Sequence, residues 1–225
     1  MDEFIVGNRK IYNQDCMVGM AQYPDNYFDL AIVDPPYGIG MAGGKVGNSK
    51  KDYKKFAGAD EKIPDKAYFA ELFRVSKNQI VWGGNYMIEH LFPMPCFLVW
   101  DKVQPEKFTM AMCEFAWTSF NSPAKIYKKR IVGADKVRIH PTQKPVALYS
   151  WLLQNYAKPD FKILDTHLGS GSHAIAWERF QKSGEFVGFE LDPDYFVALK
   201  QRIKGEFNFM GFDLSDPNQI PKKVE

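Results

Sequence analysis

The sequence is short of several things, and each shortage excludes a class of protein. Only three cysteines, Cys16, Cys96 and Cys113, stand among 225 residues. They are too few and too scattered for a disulfide framework or a CxxC metal knuckle, so no metal is expected. Mean hydropathy is −0.34, and no apolar run approaches the roughly 18 residues that span a bilayer. The opening Met1-Asp2-Glu3-Phe4 has no basic segment leading into an apolar one, so no signal peptide is expected. Internal repeats and low-complexity tracts are also missing. What remains is a chain with 45% hydrophobic and 25% charged residues. It is long enough to bury a real core and is expected to be one soluble, cytoplasmic domain over 1–225.

Net charge is only +2, but it is unevenly placed. Between Lys125 and Lys144 lie seven basic residues and one acid, Asp135, a local charge of +6. Between Gly43 and Lys66, seven lysines face four acids, giving +3. Such clusters suit a phosphate footprint, and they suit two solvated loops equally well.

Short apolar runs alternate with helical patterns. Phe28 to Val33 reads as a buried strand, stopped by Asp34-Pro35-Pro36, because paired prolines cannot continue a ladder. Residues 38–65 show little periodicity and read as a long mobile loop, of the kind that is functional or disordered inside a compact domain. Lys66–Asn78 reads as a helix and Gln79–Trp82 as a strand. Cys96–Trp100 and Met112–Trp117 follow as strands with no helix between them, hence an antiparallel edge hairpin. A helix carrying Tyr149, Leu152, Leu153 and Tyr156 precedes the strand Phe161–Leu164, and a further helix leads to the strand Phe186–Phe189. The expected fold is therefore α/β and Rossmann-like, a mainly parallel, doubly wound sheet with that hairpin at one edge.

The strand ending at Leu164 enters Asp165-Thr166-His167-Leu168-Gly169-Ser170-Gly171-Ser172. Glycines at such a turn let backbone approach a ligand at a helix N-terminus. About twenty residues on, Glu190 ends the next strand, where an acid can bind ribose hydroxyls. The third glycine of the dinucleotide fingerprint is absent, which disfavours NAD and suits a nucleoside without a pyrophosphate.

Asp34-Pro35-Pro36-Tyr37 after an apolar strand, the glycine turn, and His140-Pro141-Thr142-Gln143-Lys144-Pro145 together resemble the motifs of the DNA amino-methyltransferases. The order, catalytic motif first and cofactor motif last, resembles the circularly permuted β class. Trp82-Gly83-Gly84-Asn85-Tyr86 with Trp100-Asp101-Lys102 is similar to small phage or prophage members. The resemblance covers about residues 10 to 205. It implies the class I methyltransferase fold, S-adenosylmethionine as cofactor and double-stranded DNA as partner.

By the same resemblance, Asp34, Pro35, Pro36 and Tyr37 are catalytic. Asp34 and the Pro35 carbonyl would accept the amine N–H bonds, and Tyr37 would stack on an extruded base. Asp15 and Cys16 would meet the adenine ring, Glu190 the ribose, and Lys144 the methionine carboxylate. His140, Thr142, Asp165, His167, Gly169, Ser170, Gly171 and Ser172 complete the expected cofactor set. Related enzymes often carry Pro-Phe where Thr166 and His167 stand here. Lys45, Lys50, Lys51, Lys128, Lys129, Arg130 and Arg138 are the expected DNA contacts. Target recognition would fall to about residues 102–139, which show no helix-turn-helix or zinc-finger pattern. The Asp at the head of the tetrapeptide leans towards adenine N6, with cytosine N4 as the alternative. An RNA or protein-glutamine methyltransferase, a non-catalytic DNA-binding protein and an NAD-dependent oxidoreductase fit the motifs less well. Homodimerisation, a restriction-enzyme partner and the recognition sequence stay open at this point.

Overall fold

The computed structural model describes residues 2–40, 44–45, 52–53, 60, 62–105, 111–130, 135, 137–180 and 183–209. The elements run β1 (Asp2–Val6), β2 (Arg9–Asn13), α1 (Cys16–Met20), β3 (Leu30–Val33), β4 (Gly44–Lys45), β5 (Asp52–Tyr53), α2 (Lys66–Val75) and β6 (Gln79–Trp82). Then come β7 (Phe97–Asp101), β8 (Cys113–Thr118), β9 (Lys125–Lys128), α3 (Val146–Tyr156), β10 (Lys162–Asp165), α4 (Ser172–Phe180), β11 (Glu185–Glu190) and α5 (Pro193–Phe209). Nine strands form one sheet in the order β1-β2-β11-β10-β3-β6-β8-β7-β9. From β2 to β6 the neighbours are parallel. β8 runs against both β6 and β7.

The central strands are apolar throughout because helices cover both faces. Leu30, Ile32, Ile80 and Ile163 point into one core with Leu148, Leu152 and Leu153 of α3, Ala174 and Ile175 of α4, and Phe196 and Leu199 of α5. Ala31, Val33, Val81 and Leu164 point into the other, with Met20 of α1 and Phe69, Leu72 and Val75 of α2. Each fully buried aliphatic or aromatic side chain is worth about 1.5–3 kcal/mol. The doubly wound, mainly parallel sheet matches the expectation, as does α2, which Asp65 caps by accepting from Tyr68 N at 3.0 Å.

Three features escaped the sequence reading. β1 and β2 form a hairpin at one edge, turning at Gly7 (φ 55°). At the other edge the β7–β8 pair is present but β9 lies outside it, parallel to β7. Within the expected loop, β4 and β5 pair as a small antiparallel ladder. Much of the loop, including Lys50 and Lys51, lies outside the described residues, as does the Lys45 side chain. No helix among the described residues is long and apolar enough to cross a membrane.

Candidate active site

Parallel strands end at one edge of a sheet, and the motif residues gather there. Asp34 follows β3, the glycine turn follows β10, Glu190 ends β11, and Asp15 follows β2. β3 and β10 are direct neighbours, so Asp34 and the glycine turn leave adjacent strands at the same edge.

The glycine turn is braced from several sides. Gly169 and Gly171 take φ of 52° and 76°, a backbone region closed to most side chains. Gly169 N donates to Glu190 Oε2 at 2.7 Å, and Asp192 N to Oε1 at 2.9 Å. Burial pushes the Glu190 carboxyl up to about 7 despite these two donors. Asn13 Nδ2 donates to the Glu190 carbonyl at 2.8 Å, which ties the chain entering Asp15 to the end of β11. Asp15 itself caps α1, accepting from Met17 N at 2.7 Å. The Cys16 thiol is pushed up to about 12 by burial, as suits a small buried hydrophobe.

Thr166 and His167 tie the turn to α2. The Thr166 and Tyr68 hydroxyls share a hydrogen bond of 2.7 Å, and the His167 ring packs edge-on against Tyr68. Asp165 uses both oxygens internally, accepting from His167 N and from Nδ1 of the buried His173. The Ser170 and Ser172 hydroxyls lie 3.0 Å apart, and Arg202 of α5 donates to Ser170 O and Ser172 Oγ. Arg202 also reaches Asp135, at 3.0 Å. The His140 ring packs on Tyr195 beside Gly169 and accepts from Thr142 N. Burial lowers His140 and His167 to about 4, so both rings are neutral at pH 7.

The second cluster is built on Asp34. Its Oδ1 accepts from Tyr37 Oη at 2.6 Å and from Lys144 Nζ at 2.5 Å. Its Oδ2 receives no hydrogen bond from the described residues. Asp60, deep in the expected mobile loop yet buried, accepts from the backbone N–H of both Tyr37 and Gly38 and so fixes the turn. Gly83, at φ 68°, seats the Tyr37 ring, because a Cβ there would collide with it. Outside, the exposed Tyr86 stacks on Tyr37 at 5.4 Å and 19°. Asp34 is raised by burial, which outweighs the Lys144 contact. Lys144 is buried too, but Asp34 and Glu114 hold it above its ordinary value.

Two of the expected residues have partners within the chain. Lys144, expected at the methionine carboxylate, donates to Asp34 Oδ1, Tyr37 Oη (2.9 Å) and Glu114 Oε2 (3.1 Å). It reaches this cluster because α3, which it precedes, packs on the Asp34 side of the sheet. Arg138, expected on DNA, turns inward, its Nη2 donating to Pro141 O at 2.5 Å and its Nε to His140 O at 3.4 Å. It braces the loop carrying Lys144. Lys128, Lys129 and Arg130 are exposed, as expected, at the same sheet edge as Asp34. Glu114, Asp60 and Arg202 were not found from the sequence, and Tyr86 and Lys102 stood only in the strings similar to phage members, with no role given. For Glu114 a signal existed, since it is the one acid inside the apolar strand Met112–Trp117.

Comparison with known proteins bears on the fold and the family. The chain is 22% identical over 273 residues to the type II methyltransferase M.HpaI of Haemophilus parainfluenzae, covering 96% of this chain and 82% of that one. Its fold is similar to that of the PvuII DNA methyltransferase, described as cytosine-N4-specific (TM-score 0.62, 14% identity, 96% and 97% of the two chains). It is also similar to M1.HpyAVI in complex with S-adenosylmethionine (TM-score 0.58, 19% identity, 86% and 99%). These likenesses establish the class I methyltransferase fold. The family described as DNA methylase, N6_N4_Mtase, matches residues 76–201. That match spans more than half of the chain, and the protein belongs to this DNA methylase family.

Proposed function

We propose that the protein methylates the exocyclic N6 amine of adenine in a base turned out of double-stranded DNA, with cytosine N4 as the alternative target. The observation that carries this reading is the Asp34 carboxylate: Oδ1 is tied to Tyr37 and Lys144 while Oδ2 accepts from none of the described residues, one strand away from the glycine turn. S-adenosylmethionine supplies a methyl group made electrophilic by its sulfonium. The donor set fits it: Glu190 offers a ribose diol a carboxylate, and the positive-φ glycines beside it leave room for close approach.

An amine on an aromatic base is a poor nucleophile because its lone pair is delocalised into the ring. Asp34 Oδ2 and the Pro35 carbonyl would accept its two N–H bonds, favouring a tetrahedral nitrogen. The paired prolines and Asp60 hold these acceptors in place before reaction, so little reorganisation is needed. Tyr37 and Tyr86 offer an aromatic surface for the extruded base. The lone pair so directed would take the methyl carbon as its C–S bond breaks, and the cationic amine would lose a proton afterwards. The Asp at position 34 supports adenine, and the likeness to a cytosine-N4 enzyme keeps the alternative in play.

The reading includes the permuted β-class order, the small phage or prophage type, and a single methyltransferase domain with a recognition insertion at about 102–139. Expression in a methylation-deficient host, followed by sequencing its DNA for modified bases, tests it and identifies base and site together. Unmodified DNA from a host carrying soluble protein counts against it.

Glu190 gives the cofactor site a pH dependence. Its folded value, about 7, lies above the ordinary 4.5, so the native state keeps this proton between about pH 4.5 and 7. Its contribution to stability is therefore full below pH 4.5 and is lost as pH rises through about 7. Ribose hydroxyls donate to the ionised form, so affinity for S-adenosylmethionine should rise with pH. Calorimetry should show binding about tenfold weaker one unit below that value than well above it. Glu190→Gln should weaken binding and flatten this dependence.

Lys128, Lys129 and Arg130 stand four strands from Asp34, about 19 Å at 4.7–4.9 Å per strand. That is roughly half a turn of duplex, so they can meet phosphates while a base enters at Asp34. Replacing Lys128 and Lys129 with alanine should weaken binding to all duplexes alike and reduce the salt slope by about one unit per lost contact. An unaltered slope in a titration at several salt concentrations would place the DNA path elsewhere.

A further inference from the structure

Glu114 belongs to none of the recognised motifs, yet it completes the Asp34 cluster. β8 runs against β6 and β7, so its first residues reach the edge where those strands end. There Glu114 Oε1 accepts from Lys102 Nζ at 2.7 Å and Oε2 from Lys144 Nζ at 3.1 Å. Asp34, Lys144, Glu114 and Lys102 thus form a chain of alternating charge, with both lysine side chains at most 7% exposed. Aromatic rings wall it in: Lys144 lies over Tyr37 and Trp82, and Lys102 over Trp100. Stability is a weak reason to bury four charges, since well-packed apolar residues of similar volume often serve as well or better.

We propose that Glu114 is a positioning residue for methyl transfer, holding Lys144 off the reactive oxygen of Asp34, with Lys102 holding Glu114 in turn. The proposal rests on the role given to Asp34 above. Lys144 has three N–H donors, and they go to Asp34 Oδ1, Tyr37 Oη and Glu114 Oε2. Without Glu114 the third donor turns to Asp34 Oδ2, where the target amine should sit. Glu114 also balances charge. With it the four groups sum to zero; without it a net positive charge opposes the cation forming on the attacking amine.

The groups facing Lys144 are Asp34 and Tyr37 after β3, Glu114 on β8, Lys102 after β7, Tyr149 on α3, and His140 in its own loop. Glu114 stays ionised among them, because Lys144 and Lys102 outweigh burial and hold it down at about 2. Removing its charge lets Asp34 ionise at lower pH and lets Lys144 lose its proton at lower pH. Both limbs of the rate profile should therefore move down.

The test is single-turnover methyl transfer against pH for the wild type, Glu114→Gln, and Glu114→Gln with Lys102→Met. The double variant removes one charge of each sign and so protects folding. Glu114→Gln should lose about tenfold to a hundredfold in rate near neutral pH, as displaced catalytic groups do, and the double variant should lose less, because it keeps the cluster neutral and frees the Gln carbonyl for Lys144. Glu114→Gln should show the profile shifted down and the double variant a smaller shift, with cofactor affinity within about twofold of wild type in both. Glu114→Asp should recover part of the rate. A rate and profile like the wild type in Glu114→Gln overturns the proposal. So does activity that falls only with the folded fraction while the profile stays put. A wild type inactive on every DNA amine would instead bring down the proposed function itself.

Discussion

Asp34→Ala should cut methyl transfer by about 10²–10³-fold, the usual cost of losing an acceptor aimed at the transition state, and leave cofactor binding nearly intact. The separation follows from the geometry. Asp34 hydrogen-bonds to Tyr37 and Lys144, and no hydrogen bond or ion pair among the described residues joins it to the glycine turn, Glu190 or the His140–Thr142 pair. The variant should fold, because Lys144 keeps Glu114 and Tyr37 as partners. Transfer of a labelled methyl group to duplex DNA, beside calorimetry with S-adenosylmethionine, reads both quantities. Near-normal turnover in the variant would remove Asp34 from the chemistry.

Lys144→Met should be costly in a different way. It removes the cation between two buried carboxylates and leaves Asp34 and Glu114 facing each other, Glu114 still held by Lys102. Breaking a buried pair from one side costs about 3–5 kcal/mol. For a chain of this size that lowers Tm by roughly 6–20 °C. Methyl transfer should fall with it, since Asp34 loses the partner that fixes Oδ1. Cofactor affinity decides between this arrangement and a lysine on the methionine carboxylate. A lost charged hydrogen bond of about 1.5–3 kcal/mol would weaken affinity by at least about tenfold. The geometry observed here predicts a change of about threefold or less. Thermal melts and calorimetry on the same sample distinguish them.

The same network gives an acid limit. Glu114 is held at about 2 in the folded state against an ordinary 4.5. Its contribution to stability is present above pH 4.5 and is lost as pH falls towards about 2.

Local chemistry was enough for much of this protein. Val33-Asp34-Pro35-Pro36 announces a strand that must stop, since proline offers no ladder donor, and β3 does end at Val33. Apolar runs such as Leu30–Val33 and Gln79–Trp82 announce strands covered on both faces, and alternation with helices fixes a mainly parallel sheet. β1, β2 and β9 were not legible, because DEFIV, RKIYN and KIYK mix charges with apolar residues: β1 and β9 are edge strands with charges towards water, and β2 beside β1 buries Arg9 against Glu178.

Tertiary structure alone decided who meets whom. Lys144 lies 110 positions after Asp34, and no spacing rule connects it to Asp34 or to Glu114 on a strand running the other way. Asp60 looked like one more charge in a loop until its carboxylate was seen under the Tyr37 turn. Nothing in the local sequence shows that the Arg138 guanidinium donates to two carbonyls of its own loop. Sequence fixes which groups can accept, donate or stack, because that chemistry belongs to each residue. The partner of a buried charge is set by strand order and direction, which bring distant residues within hydrogen-bond reach in a medium where an unpaired charge is too costly to leave.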